Sequence, residues 1–96
     1  MTLEEKNTAT SPELRALGAK VRRLRKALGI SQEELAWRSK LHRTYLSDVE
    51  RGARNLSTLS LVAIARGLQT TVSELARDIE SINPSAGDVA STSQEQ

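Results

Sequence analysis

The stretch from Ser31 to Gly52, SQEELAWRSKLHRTYLSDVERG, constrains the chain more than any other. Ser31 with Glu34 three residues on is a capping box, so a helix opens there and runs through Leu35 and Ala36 to about Ser39. A second helix spans about Arg43 to Arg51, with Leu46 and Val49 on its inner face and Gly52 as its stop. The two are joined by a tight connection around Lys40 and Leu41. Ala36 is small where the helices must approach, and Leu41, Leu46 and Val49 are apolar where the second must pack on a body. That leaves Arg43, Thr44, Ser47 and Asp48 along an outward face.

The rest of the chain supplies the body. Ser11 can N-cap a first helix, Pro12 suits its first position, and Gly29 suits the left-handed residue that ends it. Inside it Leu14, Leu17, Val21, Leu24 and Leu28 step by three and four, while Arg15, Lys20, Arg22, Arg23 and Lys26 take the opposite face. A fourth helix starts after Ser57 and carries Leu61, Ile64, Ala65 and Leu68. A fifth opens with a second capping box, Thr71 to Glu74, followed by Leu75, Ala76 and Ile79. No stretch alternates with period two, so no strands are expected. The expected fold is all-α: a compact five-helix domain over residues 11–82 with the helix-turn-helix in helices two and three. Residues 1–10 and 83–96 lack apolar periodicity and are expected to be disordered tails.

A domain this small buries only roughly 60% of its unfolded surface, and a dimer would help. Leu59, Val62, Val72, Ile79 and Ile82 exceed what a five-helix monomer needs inside. They form either one side of a dimer seam, with helix five contributing, or simply a wider core face.

Composition narrows the function. The net charge of the 96 residues is +2, yet residues 12–81 hold 13 Lys and Arg against 8 Asp and Glu, a net of +5. A basic compact domain points to an anionic partner, and its helix-one face to a general attraction for one. Zero cysteine excludes disulfides, thiolate zinc sites and thiol nucleophiles. The single histidine, His42, has no partners for metal binding or a pH switch and reads as a near-cap residue. No membrane span is visible, and Glu4 and Glu5 stand where an export signal would be basic then apolar, so a cytoplasmic setting is expected. Catalysis finds no footing: there is no Gly-rich phosphate loop, and the carboxylate pairs Glu33–Glu34 and Asp78–Glu80 diverge on their helices. An enzyme and a cofactor are both unexpected.

A helix held like the second one can enter a DNA major groove with its N-terminal residues at base edges. Arg43 can contact guanine in bidentate fashion, and Thr44 and Ser47 can reach bases or phosphates. Asp48, a carboxylate facing DNA, would either accept from a cytosine amine or repel phosphate, and so serve specificity by base contact or exclusion. Trp37 and Tyr45 each have a packing role as the alternative to a DNA contact.

Ser31–Gly52 resembles the helix-turn-helix of the lambda-repressor-like (Xre/Cro) DNA-binding proteins of bacteria and phage. The resemblance extends over roughly residues 14–80, through LQTTVSEL at the entry to helix five. The run RTYLSDVERGARNLS is especially similar to controller proteins of restriction–modification systems. The resemblance implies a small dimeric regulator that binds double-stranded operators near its own gene, activating or repressing by occupancy, with an RNA polymerase contact if it activates. It implies that Gln32 bonds a phosphate, that Arg43 and Thr44 read bases, and that Ser47 and Tyr45 meet base or backbone. Arg51 and Arg54 would meet phosphates or the DNA centre between half-sites, and Arg25–Glu50 would be an ion pair tying helix one to helix three. The chain departs from the family at Lys40, where Gly is usual. A non-Gly residue of positive φ is uncommon, so either this turn is strained or its geometry differs. An antitoxin or antagonist whose main ligand is a protein is the alternative function for such a fold.

Overall fold

The computed structural model describes residues 11–82, and within them lie five helices and no strands. They are α1 (Pro12–Leu28), α2 (Gln32–Ser39), α3 (Arg43–Glu50), α4 (Thr58–Gly67) and α5 (Val72–Ile82). The all-α, five-helix expectation matches this architecture. The tails expected at 1–10 and 83–96 lie outside the described residues. No described helix is long and apolar enough to cross a membrane.

Hydroxyl side chains start four of the five helices. Ser11, Ser31 and Ser57 Oγ accept from the amides of Leu14, Glu34 and Ser60 at 3.1, 3.0 and 3.0 Å, and Thr71 Oγ1 accepts from Glu74 at 3.1 Å. Each bond satisfies an amide that the first turn leaves without a partner. The capping box of α2 is one-sided, which corrects the expectation of a full one. The Glu34 carboxylate turns to Arg38 Nε at 3.0 Å, and Arg38 Nη1 donates onward to the Gly67 carbonyl at the end of α4, at 3.2 Å. α3 starts at His42 without a side-chain cap.

The first four helices share one kind of stop. After each, a left-handed residue donates back to one carbonyl and the next residue to an earlier one, the Schellman arrangement. At α1 these bonds are Gly29 N to Lys26 O (3.0 Å) and Ile30 N to Arg25 O (3.3 Å). At α2 they are Lys40 N to Trp37 O (3.2 Å) and Leu41 N to Ala36 O (2.9 Å). Gly52 and Gln69 do the same after α3 and α4. Lys40, at the position where the family it resembles usually has glycine, takes the left-handed conformation, at φ 57° and ψ 40°. The turn between α2 and α3 is thus of the usual shape, and the strain is carried by the lysine backbone.

The core gathers Leu17, Val21, Leu35, Ala36, Leu46, Val49, Ile64, Ala65, Leu68 and Leu75. α1 packs against α5 on one side and α3 on the other, while α2 packs against α4 and α3. The α1–α3 approach is close because residue 18 is glycine. A Cβ there would stand 2.3 Å from the Val49 carbonyl oxygen and 2.6 Å from that of Glu50.

Two expectations about burial are corrected. Lys20, expected on the solvent face of α1, is 6% exposed, with Nζ bonded to Glu74 Oε2 on α5 at 2.9 Å. It sits at the border of the Leu17–Val21 stripe, and α5 packs over that border and brings a carboxylate to meet it. Leu28 is exposed, being the last residue of α1 before the chain turns away at Gly29. Of the residues that form either a dimer seam or a wider core face, Val72 and Ile79 are partly buried against the core, whereas Leu59 is 81% exposed. Val62 is half-buried, and the side chain of Ile82 lies outside the described set.

Candidate nucleic-acid interface

Leu46 and Val49 anchor α3 in the core, and the opposite side of the helix is left for Arg43, Thr44, Ser47 and Asp48. Arg43 and Thr44, in its first turn, are exposed, and Ser47 and Asp48 are half-covered. The side chains thus lie where the helical spacing puts them.

An ion pair holds α3 against α1. Arg25 Nε and Nη2 donate to the two Glu50 oxygens at 2.6 and 3.1 Å, and Nη1 donates to the Ile30 carbonyl at 2.9 Å. The Glu50 side chain is only 3% exposed, so this fork replaces the water it has lost. The hydrogen bond to Glu50, partly offset by burial, holds the Arg25 guanidinium above its ordinary value, with the Glu50 and Glu33 charges adding to the effect.

Gln32 extends this arrangement to the surface. Its Nε2 donates to Glu50 Oε1 at 3.0 Å and its Oε1 accepts from Arg43 Nη1 at 3.3 Å. The residue expected at a phosphate is therefore also the link between the buried pair and the first residue of α3. Arg43 Nε lies 3.5 Å from Glu33 Oε2, so in the unbound protein this arginine folds back over the start of α2. Sequence reasoning did not single out Glu33 for that role. The signal was a first-turn carboxylate facing, across a short turn, the first residue of the next helix.

The C-terminal end of α3 carries a second group. Asp48 Oδ1 accepts from Arg51 Nη2 and Oδ2 from Arg54 Nη2, the latter at 3.2 Å. The Arg54 guanidinium lies 4.7 Å above the centre of the Tyr45 ring, a cation–π contact. Tyr45 is thus half-packed, against core on one side and arginine on the other. Trp37 is 77% exposed. The arrangement offers an elongated basic surface: Arg43 at one end of the helix, hydroxyls along it, and two arginines at the other end. Such a surface can bind a polyanion through guanidinium–phosphate bonds and read bases through the residues between.

The chain is similar to known proteins. Residues 21–75 match the family model described as helix-turn-helix. The chain is 47% identical over 64 residues to control protein C.MunI of Mycoplasma sp, covering 66% of this chain and 86% of that one. The crystal structure of the restriction–modification controller protein C.AhdI from Aeromonas hydrophila is 44% identical, with a TM-score of 0.64, covering 65% of this chain and 94% of that one. C.Esp1396I bound to a 19 base pair DNA duplex is 34% identical, with a TM-score of 0.66, covering 74% of this chain and 95% of that one.

Proposed function

The chain belongs to the Xre-like helix-turn-helix family, and on that premise we propose that it binds a pseudo-palindromic DNA operator as a homodimer, with α3 of each protomer in the major groove. It is a DNA-binding transcriptional regulator and not an enzyme. Its similarity to the controller proteins supports a place in a restriction–modification system, where the dimer would bind near its own gene and regulate by occupancy. Contact with RNA polymerase would follow where the bound dimer activates.

One observation carries the assignment: the outward face of α3 holds polar side chains, Arg43 and Thr44 exposed and Ser47 and Asp48 half-covered, while the inward face is locked by Leu46, Val49 and the Arg25–Glu50 fork. A rigidly held helix with a polar outer face meets the geometric demand of groove reading. Arg43, Thr44 and Ser47 would meet base edges, with Arg43 swinging from Gln32 and Glu33 to guanine. Gln32, Tyr45, Arg51 and Arg54 would meet the backbone, phosphate contacts that fix register without reading sequence. Two copies related by a two-fold axis would present their α3 helices about 34–36 Å apart, one helical turn of DNA.

Fluorescence anisotropy tests this reading, with purified protein titrated into labelled DNA from upstream of its own gene, against excess competitor and at two salt concentrations. The expected result is saturable binding of two protomers per site that survives competitor and weakens steeply with salt. Weak binding that competitor abolishes equally for every sequence would contradict it and favour a protein as the main ligand.

A further inference from the structure

Asp48 is a carboxylate on a surface otherwise suited to phosphates, and its surroundings are built around it. Its side chain is 21% exposed, against 62% for Arg51 and 44% for Arg54. Each oxygen serves a different arginine: Oδ1 accepts from Arg51 and Oδ2 from Arg54. The backbone of the same residue ends the helix, because its carbonyl accepts from Ala53 N at 2.8 Å while Gly52 N donates to Val49 O at 3.0 Å. Gly52, at φ 76°, turns the chain so that Arg54 returns over α3 and stacks on Tyr45. One aspartate thus closes the turn through its carbonyl and gathers both cations through its side chain.

We propose that Asp48 is a positioning residue that holds Arg51 and Arg54 side by side and offsets half of their charge, so that the protein discriminates its operator from random DNA. The proposal rests on the DNA-binding reading above. A guanidinium carries five N–H donors, so an arginine anchored through Asp48 keeps others for a phosphate. Anchoring removes rotamer freedom before DNA arrives, which lowers the ordering cost where the phosphate lies in the right place. Where it does not, the arginines must leave the carboxylate, and the carboxylate itself repels the strand. Random DNA is therefore held less tightly than two free arginines would hold it, and matched DNA loses little. A direct contact from Asp48 to a cytosine amine would instead require its oxygens to give up their arginines.

The test compares wild type with Asp48→Asn and Asp48→Glu on two labelled duplexes of equal length. One is the duplex that wild type enriches most from a randomised pool, and the other is of random sequence. Affinities are measured over a range of salt. For Asp48→Asn, the random duplex should bind about three- to tenfold more tightly at low salt, with the logarithmic salt slope steeper by about 0.9 per protomer. The enriched duplex should gain less, so the ratio of the two affinities falls. Asp48→Glu should restore the wild-type slope. Asp48→Ser carries the same expectation as the amide should that variant not fold. Unchanged random-DNA affinity and slope would overturn the proposal. So would a changed base preference at one position of each half-site, which would make Asp48 a reader. If wild type enriches nothing, the DNA reading fails instead, and the two failures are distinct.

Discussion

Glu50 is the residue on which the aim of α3 depends. Its buried carboxylate is held by Arg25 and Gln32 together, so the helix cannot rotate without uncovering a charge. Arg25→Ala should cost about 3–5 kcal/mol, because a buried carboxylate is left without its cation. Urea denaturation of the variant beside wild type measures this. The pair has no basic limit in ordinary use. The hydrogen bond to Glu50 holds Arg25 above its ordinary value, so the stability it contributes is complete below the unfolded value and is lost only as alkali rises through the higher folded one. Lys40 is the opposite case, a residue whose backbone works against it. Lys40→Gly should stabilise the fold by about 1 kcal/mol by relieving the left-handed strain, and an unchanged urea midpoint would count against that account. The strain was legible beforehand because Lys40 stands where the family has Gly. The burial of Lys20 was not, since its carboxylate partner lies on α5 and no local spacing reveals that contact.

At the scale of the element, the chain's punctuation carries most of the fold. Ser11, Ser31, Ser57 and Thr71 mark helix starts by chemistry that a reader can see, and Gly29 and Gly52 mark two of the stops. Gln69 makes the stop after α4 by the same hydrogen bonds at φ 62°, and it is invisible in sequence because glutamine has no preference for that conformation. Gly18 was readable in principle. A glycine inside a helix costs about 1 kcal/mol relative to alanine and so needs a reason, here the α3 carbonyls against which α1 lies. Gly18→Ala should therefore destabilise the protein by about 1–3 kcal/mol, despite alanine's better helix propensity. Circular dichroism through a urea titration decides it. A gain in stability would mean that α1 and α3 can part at no cost.

At the scale of the molecule, the outward residues of α3 were legible because helical spacing alone separates Leu46 and Val49 from Arg43, Thr44 and Ser47. What those residues do in the unbound protein was not legible, because it depends on partners brought in by tertiary folding. Arg43 rests on Gln32 and Glu33, and Arg51 and Arg54 rest on Asp48. Arg43 is thus already paired, and DNA must compete for it, an exchange of acceptors, whereas Arg51 and Arg54 can meet a phosphate through other donors while Asp48 holds them. Association of two protomers acts at this scale as well. With Val72 and Ile79 partly buried against the core, Leu59 is the most exposed of the described side chains that a seam could use among Leu59, Val62, Val72 and Ile79.

The central claim is that α3 reads sequence, and enrichment from a randomised duplex pool by wild type and Arg43→Ala in parallel tests it most directly. Wild type should enrich an inverted repeat with half-sites about 10 base pairs apart, centre to centre. Arg43→Ala should enrich the same repeat with one position of each half relaxed, and lose about 1–3 kcal/mol of affinity. An unaltered preference in the variant, or no enriched sequence in wild type, would contradict the account.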